Sequence, residues 1–233
     1  MNEQLEIDWE IIQNTIDACM ICKDDRALFP VDPPPVRPWN PGLPGRLLFV
    51  SEAPPESGGF WHVKSEDHLR RNVSELLSLA GLRLPAKPYK QEALQNFLNA
   101  NFFLIQTIKW PIQKGSFNKL GPAEKRRLVE HSVIHLEREI SLISPTGILA
   151  MGNAAWDACL KLNCGNHLLP DAGVETVRGK DYKIELKQGL IPLNVTFLPV
   201  NQNMNRSEQR SHILVDLAHF LNLHQWYCSR KVS

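Results

Sequence analysis

Apolar residues recur along this chain in two rhythms. Leu5, Trp9, Ile12 and Ile16 are spaced three and four apart, which puts them on one face of a helix over residues 5 to 18. Arg46 to Val50 (RLLFV), Phe102 to Ile108 (FFLIQTI), Gly147 to Met151 (GILAM) and Val195 to Val200 (VTFLPV) are short, nearly continuous apolar runs that suit strands buried on both faces. Between them helical spacing returns over 66 to 81, 91 to 99, 122 to 142 and 153 to 162, and again over 207 to 223. This alternation predicts an α/β three-layer sandwich: a mainly parallel four-stranded central sheet with right-handed crossovers, flanked by helices. Residues 174 to 194 alternate Val177, Tyr182, Ile184 and Leu186 with polar residues and carry Gly179 and Gly189 at turn positions, which predicts a hairpin.

Proline punctuates the amino-terminal part. Pro30 to Pro44 holds seven of the seventeen prolines, and because proline lacks an N–H this segment is an extended connector and neither a helix nor a central strand. Only about 30 residues precede it, too few for a separate domain. The expectation is one domain over residues 1 to 233, with residues 1 to 45 as a helical arm and proline-rich connector packed on it.

Composition narrows the class. With 233 residues, 43% of them hydrophobic, the chain can bury a full core, and disorder or a fibre is excluded. The net charge of +1 conceals an uneven distribution: residues 1 to 25 hold seven acids and one base, whereas 109 to 127 hold six bases and one acid. No apolar run is long enough to span a bilayer and the start, MNEQLEIDWE, is acidic, so the expectation is a cytoplasmic protein with no membrane contact. Five cysteines, an odd number, favour reduced thiols or a metal site over a disulfide framework.

In an open parallel sheet the ligand site lies beyond the carboxyl ends of the strands, so the loops there carry the candidate chemistry. The first offers Glu52, Ala53, Glu56, Phe60, Trp61 and His62; the second offers Gln106, Lys109, Trp110, Lys114 and Lys119; the third offers Gly152 and Asn153; the fourth offers Asn201, Gln202, Asn203, Asn205 and Arg206. Carboxylates, amides, aromatics and a basic strip converging on one edge suit recognition of a base and its phosphates. Lys109, Lys114 and Lys119 are the candidates for phosphate, with Arg206 and Arg210 opposite; Lys125, Arg126 and Arg127 read as solvated helix charge. Cys19 and Cys22 could coordinate zinc with His131 or His135, but the alternative, thiols packed at a helix end beside a surface histidine pair, fits the spacing better, and no metal is expected.

These motifs, in this order, resemble the uracil-DNA glycosylase superfamily, and most closely its family-four branch. LLFVSEAPPESGGFWH is similar to the branch's strand, Gly-Glu-Ala-Pro-Gly and Gly-x-Pro-Phe; QTIKWPIQKGSFNKLGPAEK is similar to its Asn-Val-Val-Lys-Cys-Arg-Pro-Pro segment; ISLISPTGILAMGNAAWDACL follows its helix, strand and Leu-Gly-x-x-Ala. The resemblance covers about residues 10 to 223. It implies hydrolysis of the N-glycosidic bond of a flipped, damaged or deaminated base such as uracil in single- or double-stranded DNA, by a monomer without a cofactor. The alternative is a catalytically weak or inactive protein of the same fold that binds nucleic acid or a nucleotide. By resemblance Glu52 positions the attacking water, Ala53 lies beside the base, Phe60 or Trp61 stacks on it, Gln106 stands where an asparagine reads uracil, and Asn201 or Asn203 contacts the leaving base.

Two departures separate the chain from that branch. Its last motif begins His-Pro-Ser, whereas Leu198 to Arg206 contains no histidine. Its iron–sulphur cluster needs four cysteines; Cys19 and Cys22 match the first pair, but Trp110 and Ser132 stand at the other two places.

Overall fold

The computed structural model describes residues 3–19, 37–55, 59–63, 66–82, 91–111, 120–165 and 168–224. In chain order the elements are α1 (Glu3–Asp17), β1 (Leu47–Ser51), α2 (His68–Leu79), α3 (Gln91–Asn99), β2 (Phe102–Gln106), α4 (Pro122–Ile143), β3 (Gly147–Met151), α5 (Asn153–Leu162), the short α6 (Val174–Val177), β4 (Tyr182–Leu186), β5 (Gly189–Thr196), the short α7 (Asn201–Met204) and α8 (Ser207–Leu223). Every residue of β1, β2 and β3 is buried, which is why these strands read as unbroken apolar runs.

One sheet runs in the order β2-β1-β3-β5-β4, parallel throughout except for the β4–β5 pair. The expected fold class holds, with one correction in strand number. The expected hairpin and the expected fourth strand are one structure: β5 begins at Gly189 against β4 and continues into the parallel ladder with β3 from Leu193 to Thr196. Pro192 is tolerated because it precedes the stretch that pairs with β3. The strand ends at Thr196 and not at Val200, since Pro199 has no N–H to give. Likewise β2 stops at Gln106, and Thr107 and Ile108 turn across the end of β1 by donating to the carbonyls of Ser51 (2.8 Å) and Glu52 (2.9 Å).

Helices cover the sheet. α5 lies on β1, β3 and β4, α4 lies against α5, and α1 lies outermost on α4 through Leu5, Trp9, Gln13 and Ile16. α8 packs on β5 and touches α2. Arg37, at the described end of the connector, returns to α1 by bonding Glu10, Asn14 and Asp17. Arg46 anchors the same segment to the body through the carbonyls of Pro41 and Leu98. Among the described residues no helix is long and apolar enough to cross a membrane.

Candidate functional site

β1 sends the chain to β2 on one side, while β3 and β5 lie on the other, so the sheet's topological switch point falls between β1 and β3. A crevice opens at the carboxyl ends of such a strand pair. Glu52 follows β1 there, and Gly152 follows β3. Gly152 has φ 90°, and a Cβ on it would stand 3.0 Å from the Leu198 Cβ, so the loops after β3 and β5 meet at a glycine.

Glu52 is half-buried, and burial pushes its carboxyl up from 4.5 to about 7, with Lys125 at the start of α4 pulling the other way. After Glu52 the chain turns through Pro54 and Pro55 to Gly59, whose φ is 68°. A Cβ at Gly59 would lie 3.1 Å from Pro55 Cδ, 3.2 Å from Gln106 Nε2 and 3.3 Å from Pro54 Cβ. Only glycine lets the loop close on the Gln106 carboxamide. Gln106 is 3% exposed, and among the described residues no group bonds to that carboxamide. An amide with both a donor and an acceptor unspent is equipped to read a ligand with complementary edges.

α2 holds two of the loops in register. Its buried Arg70 donates to the carbonyls of Phe60 (2.9 Å) and His62 (3.1 Å), and its buried Asn72 donates to the Pro199 carbonyl (2.8 Å). Asp67 caps the helix by accepting from the Arg70 N–H at 2.7 Å. These side chains form a scaffold beneath the crevice, and loop-motif reading does not find them. A signal was present: Arg70 precedes Val73 by three residues and Asn72 precedes Leu76 by four, so both lie on the helix's buried face.

Several sequence expectations are corrected. Phe60 and Trp61 are 1% and 2% exposed and belong to an aromatic cluster, with ring centroids 5.2 Å apart from each other and 5.2 Å between Phe60 and Phe97. Trp61 also donates its indole N–H to the Leu104 carbonyl at 2.9 Å and packs on Phe103 at 5.0 Å. Neither ring presents an open face for stacking, because both plug the core under the loop. Lys109, expected at phosphate, points inward: it is 6% exposed and its ammonium pairs with Glu139, which is fully buried, and donates to the Gln106 carbonyl. Arg210 pairs with Glu75. Asn203 spends its amide N–H on the Leu198 carbonyl at 2.8 Å. His135 is buried and not a surface partner of His131; burial, with Lys109 next in effect, lowers it to about 4.

Ala53 packs on the satellite cluster of Ile108, Trp110, Leu120 and Leu128. Arg206 is exposed at the start of α8, and Asn201 opens α7, its side chain outside the description. Glu56, Lys114, Lys119 and Cys22 lie outside the described residues. Lys125, assigned from sequence to solvated helix charge, is the cation whose field reaches Glu52.

The resemblance to a cluster-bearing branch can be tested on the residues. The indole of Trp110 fills an apolar position, and Ser132 is a buried hydroxyl on α4 beside no described thiol ligand set. Two of four thiolates therefore have no counterpart, and the residues do not fit an iron–sulphur cluster. Cys19 is half-buried and Cys159 is buried, its thiol pushed up to about 12 by burial. Among the described residues no group of three or more His, Cys, Asp and Glu side chains could hold a metal ion.

Comparison with known families gives a match over residues 42–220 to the model described as the uracil DNA glycosylase superfamily. The matched segment contains every element from β1 to β5 and most of α8. No curated protein matches the chain.

Proposed function

This chain belongs to the uracil DNA glycosylase superfamily, and from that premise we propose that it hydrolyses the N-glycosidic bond of an extruded damaged or deaminated base, such as uracil, in DNA. The observation that carries the reading is the placement, at the carboxyl ends of the adjacent strands β1 and β2, of a half-buried carboxyl held near neutrality and the carboxamide of Gln106. Breaking the bond creates a sugar cation beside a departing base anion. The Glu52 carboxylate orients water and takes its proton, and its charge stabilises the cation. A base with a pKa near 7 is ionised in half the molecules at neutral pH while remaining basic enough to accept that proton.

Gln106 reads the base edge through its carboxamide, and Ala53 beside Glu52 forms the wall of the pocket. Asn201 at the start of α7 supplies the neutral donor to the leaving base; Asn203 holds the loop that presents it. Arg206, Lys125 and the basic segment containing Lys114 and Lys119 take the phosphates. Phe60 acts from within the core, by fixing the loop that Arg70 grips. No step draws on a cofactor.

The test is direct. Pure protein is incubated with single-stranded and duplex oligonucleotides carrying uracil, hypoxanthine or xanthine, followed by alkali. Strand scission at one of these bases, lost in Glu52→Ala, is the expected result. Absence of scission with every base, alongside tight and salt-sensitive binding, would replace this reading with that of a binding protein of the same fold. Each phosphate contact contributes about 0.9 to the slope of log affinity against log salt on duplex DNA, so Arg206→Gln should flatten that slope by about one contact.

A further inference from the structure

The buried charges on α4 and in the loop after β2 have no part in the chemistry above, yet they touch the residue assigned to base reading. β2 is an edge strand, and Thr107 donates to Ser51 across the β1 ladder, so the Gln106 carbonyl between them faces away from β1 toward the open edge. Lys109, three residues on, caps that carbonyl with its ammonium. A buried ammonium needs a counter-charge, and Glu139 of α4 supplies it. The other oxygen of Glu139 needs a donor in turn, and Gln13 of α1 supplies it at 3.0 Å across a separation of 126 residues. Gln13 is 2% exposed, Lys109 6% and Glu139 fully buried, so this chain of bonds is largely shielded from solvent.

A buried ion pair of this kind is a poor source of stability, because desolvation offsets its attraction; well-packed apolar side chains would serve as well or better. Its geometry is specific, however: a charge-assisted bond fixes the last carbonyl of β2, and through it the residue whose carboxamide meets Gly59. Gln13 lies on the apolar stripe of α1, four residues after Trp9 and three before Ile16, in a helix that lies outside residues 42–220.

We propose that Gln13, Glu139 and Lys109 form a positioning brace for Gln106, so that α1 belongs to the base-selecting apparatus although it precedes the family-matched segment. This rests on the reading of Gln106 as the base reader. A displacement of about 1 Å at a reacting or reading group can cost 100-fold in rate, so release of the brace should cost at least tenfold in discrimination between bases.

The experiment uses the full chain and the triple variant Gln13→Leu, Lys109→Met, Glu139→Leu, which removes the three polar side chains together and frees the Gln106 carbonyl of its cap. Gln13→Ala alone is the second variant and serves if the triple variant does not fold. Two readouts are taken: the ratio of kcat/KM for the preferred base to that for the next, and the side-chain amide resonances of Gln106, assigned by their loss in Gln106→Leu. A thermal midpoint within a few degrees of the parent, a discrimination ratio down at least tenfold and shifted Gln106 amide resonances, with those of Asn194 in place, are the expected results. An unchanged ratio with unchanged resonances would overturn the brace. If the parent cleaves no base the functional reading fails separately, and the resonances alone decide: a shift upholds the brace, and no shift refutes it.

Discussion

Replacing Glu52 by glutamine should make the protein more stable above neutrality while abolishing its chemistry. Glutamine has the size and polarity of the protonated carboxyl, so the substitution isolates the cost of ionising this side chain. The rise from 4.5 to about 7 corresponds, at about 1.36 kcal/mol per unit, to roughly 3 kcal/mol. Below pH 4 the carboxyl is protonated in both folded and unfolded chains and contributes nothing. Between 4.5 and about 7 the unfolded chain ionises while the folded one keeps its proton, so the folded protein binds more protons and loses stability as pH rises. Above pH 7 the loss is complete and constant. The stability difference between Glu52→Gln and the parent should therefore grow from near zero at pH 4 to about 3 kcal/mol at pH 8. Urea unfolding followed by tryptophan fluorescence at pH 4, 6 and 8 measures it. A difference that stays constant across this range, or a variant less stable than the parent at pH 8, would refute the burial argument for Glu52 and with it the near-neutral base.

Three other substitutions probe the same region. Lys125→Met removes the charge that opposes the rise at Glu52, so the rising limb of kcat/KM against pH, expected near pH 7 in the parent, should move to higher pH; an unmoved limb would exclude Lys125 from the site's field. Gly59→Ala forces a side chain into a left-handed backbone position with neighbours at 3.1 to 3.3 Å. It should cost roughly 1 kcal/mol in unfolding experiments, and the push on Gln106 should cost more in kcat/KM than that loss explains. Phe60→Ala should lower global stability by about 3 to 5 kcal/mol, as loss of a buried aromatic does, and a normal melting midpoint with selectively weakened base binding would restore the stacking role.

What was legible in the sequence divides along physical lines. Strand order is invisible in one sequence, but β1, β2 and β3 announced themselves because burial on both faces leaves no polar alternation to confuse. That Glu52 and Gln106 stand at strand ends is legible because position at a strand end is a local property. The merging of the hairpin with the last parallel strand was missed, since β5 serves two partners in succession and its pattern changes from alternating to continuous between Ile191 and Val195. Lys109 is misplaced for a different reason: a lysine in the loop after a strand reads as exposed, and only Glu139, 30 positions later and buried, explains why it turns inward. Phe60 and Trp61 were misjudged because a loop aromatic looks the same in sequence whether it faces a ligand or the core, and here Phe97 and Phe103 claim both rings.

The bond between Gln13 and Glu139 also sets a schedule for biosynthesis. At 5 to 20 residues per second, the ribosome needs roughly 6 to 25 s after adding Gln13 to add the 126 residues that lead to its partner. During that interval α1 has neither α4 nor Glu139 to dock on, and the face formed by Leu5, Trp9 and Ile16 can meet only part of its final surroundings, Phe103 of β2 among them. The seating of α1 is thus completed only after Glu139 has been added, long after the helix itself is made.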